Sequence, residues 1–315
     1  MHAKPVADYW FDFHIHGIIE PGEDMLGKIR PDLALIEEFN VRRAMVILGL
    51  CGPMWPRELS THRGMDSYPY LTAAEAGAAA KSAREDGSMA WAAYLKYLNP
   101  DAGLIRAAKS AGAAAIKLHN APQIEDAAPA DLWLSPEWQD CFRAMADCGM
   151  PALWHVTQRL PPCPYTGGGR NVYWEKGWEN GVNYGNEELL RVFLRCCERN
   201  PGVNFVGAHQ LHLGWQRLDA LFAAYPNLYT DTTVGCQLME DDTLYPKDKA
   251  FLRGIFIKWA DRIIYGTDNF WGEGRKSSTQ RSHIRFLKAL DLPGLALNKI
   301  AHGNAERLLG LKPLS

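Results

Sequence analysis

No stretch of the 315 residues is apolar for the length a membrane-spanning helix needs. The opening residues, MHAKPVADYW, also lack the charged-then-apolar pattern of a secretory signal, so the expectation is a soluble cytoplasmic protein. Charge is nearly balanced, at a net −2, which gives no general attraction to nucleic acid or to anionic membranes. The first apolar run is not followed by a glycine-rich dinucleotide fingerprint. Seven cysteines are present, an odd number, and no C-x-x-C pair suggests a zinc ribbon; buried free thiols are the expected state. There is no low-complexity tail, no linker and no long internal repeat to divide the chain.

What the chain does have is apolar material, 47% of its residues, enough for one large core. It is arranged in a regular alternation. Short β-type runs recur as YWFDFHIHG, AMVILGL (44–50), MAWAAYL (89–95), AAIKLH (114–119), PALWHV (151–156), NFVGAH (204–209), NLYTDT (227–232) and RIIYGTD (262–268). Most are separated by stretches of helical spacing, among them 34–39, 72–86, 103–112, 137–149, 187–200, 215–225 and 249–260. Eight strand-then-helix units imply a parallel sheet with crossover helices. In a chain of this length they predict a closed (β/α)₈ barrel forming a single domain over residues 1–315, with a doubly wound open sheet as the competitor.

The first run ends in His14-Ile15-His16. Side chains two apart on a strand point to the same side, so both imidazoles project together and supply half of a tetrahedral metal shell, although a buried hydrogen-bonded pair would look the same. The other runs end in Lys117 and His119, His155, His209 and Asp268. In a parallel barrel these strand ends share one mouth, where active sites are built. Five strands aiming ligand-type or proton-transfer groups at one place predict a metal site, with His119 the member best read as an ordinary packed histidine.

The order and spacing of these pieces resemble the amidohydrolase superfamily over almost the whole chain, specifically the amidohydrolase-related branch that includes aminocarboxymuconate semialdehyde decarboxylase. FDFHIHG is similar to the first-strand metal motif, AAIKLH to the fourth-strand segment and LWHV to the fifth-strand ligand. VGAH is similar to the sixth-strand histidine, IIYGTDNFW to the eighth-strand aspartate and HGNAERLLGL to the C-terminal helix. The resemblance implies that His14, His16, His155 and Asp268 ligate one divalent transition metal, zinc first, with manganese or another divalent ion as alternatives. It implies that His209 and Asp268 do the proton work. A second metal is implied only if Lys117 is carboxylated; a free Lys117 amine would instead meet an anionic group of the substrate. The implied chemistry is metal-assisted attack by water, with Asp268 taking a proton for the leaving group and His209 donating to the developing oxyanion. That suits hydrolysis of a small cyclic or aryl amide, ester or lactone. The alternative is non-oxidative decarboxylation of an aromatic or unsaturated acid, and a non-catalytic binding barrel is the third reading.

Two connections are long enough to overhang such a site, 51–70 after the second strand and 157–186 after the fifth. They carry Trp55, Arg57, Arg170, Trp174 and Trp178, and Trp271 follows the last strand; aromatic rings with arginines make a pocket for a small, anionic, aromatic substrate. Gly167, Gly168 and Gly169 are the candidate hinge of a lid. The same aromatics can instead pack the loops down or form a homo-oligomer interface. No nucleic-acid or membrane partner is expected.

Overall fold

Successive side chains of a strand point to opposite faces, and this period of two sorts the apolar strand residues into two separate cores. The computed structural model describes residues 7–34, 40–54, 69–158, 172–236, 246–271 and 278–314. Its strands are β1 (Trp10–Gly17), β2 (Val41–Leu50), β3 (Tyr70–Leu71), β4 (Met89–Tyr94), β5 (Ala115–His119), β6 (Ala152–His155), β7 (Phe205–Gly207), β8 (Leu228–Asp231), β9 (Ile263–Ile264) and β10 (Asn269–Trp271). One face contributes Met45 and Ile47 of β2, Ala90 and Ala92 of β4, Ala115, Leu153, Val206, Tyr229 and Ile264 to an inner core. The other face contributes Ala44, Val46, Trp91, Ile116, Trp154, Phe205, Leu228 and Ile263 to an outer core shared with the helices. Strands buried on both faces in this way are what a parallel sheet wrapped in helices requires.

All pairings are parallel, in the order β10-β1-β2-β4-β5-β6-β7-β8-β9, with β3 a short addition to β2. β9 and β10 are two halves of one interrupted strand, so β10 lying against β1 closes the ring. The interruption itself is also tied to β1, through Phe13 N to Tyr265 O (3.1 Å) and Asp268 N to His14 O (2.8 Å). The chain is a (β/α)₈ barrel. Gly266 belongs to that tie: a Cβ there would stand 3.0 Å from the Cβ of His14 and 3.2 Å from Cγ2 of Thr233, tight enough that these neighbours would have to shift by a few tenths of an ångström.

β1 departs from simple alternation. Phe11 and Phe13 enter the inner core, a parity that would turn Ile15 inward and His14 and His16 out toward the helices. A register shift between Asp12 and Ile15 reverses it, so Ile15 joins the outer core and both histidines face the barrel axis. A bulge that re-aims side chains beside a site is a recurrent device of sheets.

The helices follow the expected stretches closely, as Ala102–Ser110, Pro136–Asp147, Asn186–Arg199, Trp215–Ala224 and Pro246–Lys258. The 72–86 stretch is two helices, Ala73–Ala79 and Lys81–Asp86, the first opened by Thr72 and Glu75 in a reciprocal capping box. The run at 34–39 falls mostly outside the described residues, and a helix, Met25–Ala34, precedes it. The described cysteines are free thiols, and Cys141, Cys196, Cys197 and Cys236 are buried. None of the described helices is long and apolar enough to cross a membrane.

The bottom of the barrel is sealed by the C-terminal helix Asn304–Leu309, which puts Leu308 into the inner core and has Asn304 Nδ2 donating to the carbonyls of Ala260 (2.6 Å) and Ile263 (2.8 Å). On the same helix Glu306, buried, accepts from Tyr9 Oη, from Arg43 Nη1 at 2.6 Å and from Nδ1 of His302 at 3.1 Å. Glu306→Ala leaves the Arg43 guanidinium without its carboxylate in a nearly dry place. Urea unfolding should show a loss of about 3–5 kcal/mol with the metal content of the folded protein unchanged; a loss below about 1 kcal/mol would mean the cluster is only surface-like.

Candidate active site

The inward parity that runs through Ala115, Leu153 and Tyr229 continues at the C-terminal strand ends to Lys117 and His119, His155 and Asp231. Those ends and the bulged end of β1 meet in one cluster. His16 Nε2 lies 2.8 Å and His14 Nε2 3.1 Å from the same oxygen, Oδ1 of Asp268. Lys117 Nζ stands 2.9 Å from His14 Nε2. The ring of Phe270 stacks on His16 at 4.8 Å and fixes its plane. Asp268 has φ +60°, a left-handed conformation sparsely used outside glycine, in the interruption just before β10, where its carboxylate turns inward.

His209 lies just beyond β7, in a turn whose residues His209, Gln210, Leu211 and His212 all have positive φ, between 49° and 59°. Each left-handed non-glycine residue costs roughly 1–2 kcal/mol. The surroundings hold the turn: Gln210 Nε2 donates to the carbonyls of Asp231 (2.8 Å) and Thr233 (2.7 Å), and Thr157 Oγ1 donates to that of Leu211. The result places Nε2 of His209 3.1 Å from Nδ1 of His155 and 3.8 Å from Oδ2 of Asp268, with His212 stacked on its other side at 5.2 Å.

Burial sets the charge states. It pushes His155, His119 and His209 well below the ordinary imidazole range, and His16 down to about 4 against the pull of Asp268, so these rings are neutral with a lone pair to offer. Burial lowers Lys117 to about 8 although Asp268 and Asp231 oppose it. For His14, burial and the Lys117 charge act downward but Asp268 and Asp231 outweigh them and raise it. Asp268 goes the other way: burial would raise it, yet His14 and His209 hold it well below the carboxylate range.

Two groups of ligand-type atoms lie within 4.8 Å of one another, His14, His16 and Asp268 in one and His155, His209 and His212 in the other. His155 therefore sits nearer to His209 than to the β1 pair, and its Nε2 is buried without a hydrogen-bond partner among the described residues. Two imidazoles converging on one carboxylate, with an orphaned imidazole nitrogen beside them, form a donor set that fits a divalent first-row cation.

Of the loop residues singled out in the sequence, Trp55, Arg57, Arg170 and Gly167 to Gly169 lie outside the described residues, as does the side chain of Trp271. Trp174 is in the outer core and Trp178 is 59% exposed, stacked over it at 6.2 Å, so these two hold down the helix Val172–Glu179. His119 accepts from Ala121 N at 3.1 Å and packs edge-on to His155. Sequence reading missed Asp231 and His212. Asp231 follows Tyr229 by two residues at a strand end, a signal that parity alone could have supplied. His212 had none, since a left-handed turn cannot be read from Gln-Leu-His.

The amidohydrolase family pattern matches residues 90–311. No curated protein matches the chain. Among solved structures, the chain is similar to dihydroorotase from Campylobacter jejuni, with TM-score 0.57 and 15% identity over 98% of this chain and 85% of that one. It is similar to a 5-carboxyvanillate decarboxylase from Novosphingobium aromaticivorans complexed with manganese and 4-hydroxy-3-methoxy-5-nitrobenzoic acid, with TM-score 0.57 and 13% identity over 99% and 100% of the two chains. A probable 2-pyrone-4,6-dicarboxylic acid hydrolase from Acinetobacter baumannii gives TM-score 0.55 and 12% identity over 96% and 99%. At such identities the structures speak for the fold, while the family pattern covers well over half of the sequence: the chain belongs to the amidohydrolase superfamily.

Proposed function

We propose that this protein is a metal-dependent hydrolase of a small cyclic or aryl amide, ester or lactone. The observation that carries the reading is the convergence of His14 and His16 on Oδ1 of Asp268 at the barrel mouth, at 3.1 and 2.8 Å. These three, with His155 as fourth donor, are the residues to hold one divalent cation, zinc or manganese. Such a cation lowers the pKa of water to ~7 and polarises a substrate oxygen. Oδ1 of Asp268 is committed to the two histidines, which leaves Oδ2 to hold a proton. It faces His209 Nε2 across 3.8 Å, too far for a hydrogen bond between them, so a proton could move from one to the other only through a substrate atom or a water lying between them. A pocket beside His209 and His212, walled by Trp215, Phe251 and Leu252, gives an aryl ring an apolar surface.

Lys117 is a cationic group at the mouth. Held 2.9 Å from His14 and buried, it is placed to receive an anionic group of the substrate. Its position also favours a second reading, decarboxylation, since a carboxylate drawn to Lys117 would lie beside the proton-carrying pair, and the structural neighbours include 5-carboxyvanillate decarboxylases. Incubating the metal-loaded protein with lactones, anilides, aryl esters and aromatic carboxylates separates the two: hydrolysis releases acid without carbon dioxide. Turnover of carboxylates alone, with carbon dioxide released, would replace the first reading by the second. Lys117→Met should leave the metal content at about one per chain and raise KM or lower kcat for anionic substrates about 10-fold or more. A fall from two metals to one in this variant would instead identify Lys117 as a carbamate bridge.

A further inference from the structure

Asp231 lies at the end of β8, fully buried, and is divided between two histidines on opposite sides of the cluster. Its Oδ2 is 2.7 Å from Nδ1 of His14. Its Oδ1 accepts from the backbone N–H of His209 at 2.8 Å, from the backbone N–H of Thr233 at 3.3 Å and from the Thr233 hydroxyl at 2.6 Å. That hydroxyl is in turn 2.7 Å from Nδ1 of His209.

With Asp231 ionised, the proton count around its two oxygens has one solution. Two backbone N–H groups can only donate, so Oδ1 is an acceptor. A hydroxyl has a single proton, and Thr233 gives it to Oδ1; its oxygen then accepts from His209 Nδ1–H. On the other side an ionised carboxylate oxygen can only receive, so Nδ1 of His14 carries a proton as well. Each histidine is thereby left with Nε2 toward the cluster, where His14 Nε2 meets Asp268 and Lys117 and His209 Nε2 meets His155 and Asp268.

We propose that Asp231 is the positioning residue of this site: one carboxylate fixes the tautomer of the metal ligand His14 directly and that of the acid/base His209 through Thr233. His209 is then an acceptor at Nε2 in its resting state. It takes a proton there first and donates only afterwards, so the oxyanion-donor role expected from the sequence belongs to its protonated form. The imidazolium that forms is steadied through Thr233 by the same carboxylate that orients His14. Carboxylates that orient metal-bound histidines are known to matter 10–100-fold in metal affinity or activity. Here one group serves both a ligand and a proton carrier.

The inference rests on the proposed metal-and-histidine reading for its effect on turnover, but the tautomers are read without substrate. Nitrogen-15 NMR of the imidazoles in the zinc-loaded protein at mildly alkaline pH should show Nδ1–H on both His14 and His209. Thr233→Val should disturb the His209 pattern, leave that of His14 and the zinc affinity unchanged, and lower kcat. Asp231→Asn, whose amide must present an NH₂ to one side, should disturb both histidines and weaken zinc about 10–100-fold. An Nε2–H tautomer on either ring in the native protein overturns the proposal. So does an unchanged His209 pattern in Thr233→Val. If both tautomers are as stated and no substrate in the panel turns over, the positioning role stands and the hydrolase reading fails.

Discussion

Asp268→Asn is expected to release the metal and abolish turnover while the barrel stays folded. Among the described ligand-type groups at the mouth, Asp268 is the carboxylate on which His14 and His16 both converge, and Asp231 is already spent on orienting His14 and His209. Removing its charge leaves neutral imidazoles and the buried ammonium of Lys117 to face a dication, which is electrostatically the wrong way round. Outer-shell changes alone cost metal affinity 10–100-fold, so loss of a direct anionic ligand should exceed that, and kcat should fall by more than about 10³. Elemental analysis after dialysis, with circular dichroism as a control for folding, makes the test. Chelator treatment of the native protein should reproduce the loss and leave the fold intact, because neither hydrophobic core contains a proposed ligand. Full activity in chelator with no metal present would remove the basis of the proposed function.

His209→Ala should separate proton transfer from metal binding. The side chain reaches the cluster through Nε2, 3.8 Å from the free oxygen of Asp268, and touches neither of the β1 histidines within hydrogen-bond distance. A positioned acid/base group is typically worth 10²–10⁴ in rate. The variant is expected to keep at least half of its metal and to lose kcat by roughly that factor, with KM little changed. Loss of all metal would make His209 a primary ligand and reassign the proton work to Asp268 alone.

Most of the architecture could be read from the chain because a parallel barrel repeats one physical rule eight times. Each apolar run had to be a strand buried on both faces, and each ligand-type residue at its end had to reach the same mouth. Lys117 and His155 follow from that rule, since they continue the inward parity of Ala115 and Leu153. The β1 histidines reach the mouth only because the strand slips between Asp12 and Ile15, a displacement invisible in an alternating sequence. The turn at 209–212 was hidden for a different reason. Its left-handed backbone is imposed by Asp231, Gln210 and Thr157, contacts between segments that lie far apart in the sequence. The interrupted eighth strand was hidden likewise, because Asp12, buried beneath it, binds Thr267 through both its N–H and its hydroxyl.

The tie between β1 and the segment around Asp268 joins residues 252 positions apart. A ribosome delivers amino acids in order, so His14 and His16 emerge long before the carboxylate that completes their site. Through most of synthesis β1 has β2 on one side and an unpaired edge on the other. Pairings this remote in sequence are slow to form and leave strand edges open to wrong partners meanwhile. Any cation must wait for the end of the chain, and a polypeptide stopped short of residue 268 would carry His14 and His16 at an open edge, attractive to metal and to other strands alike.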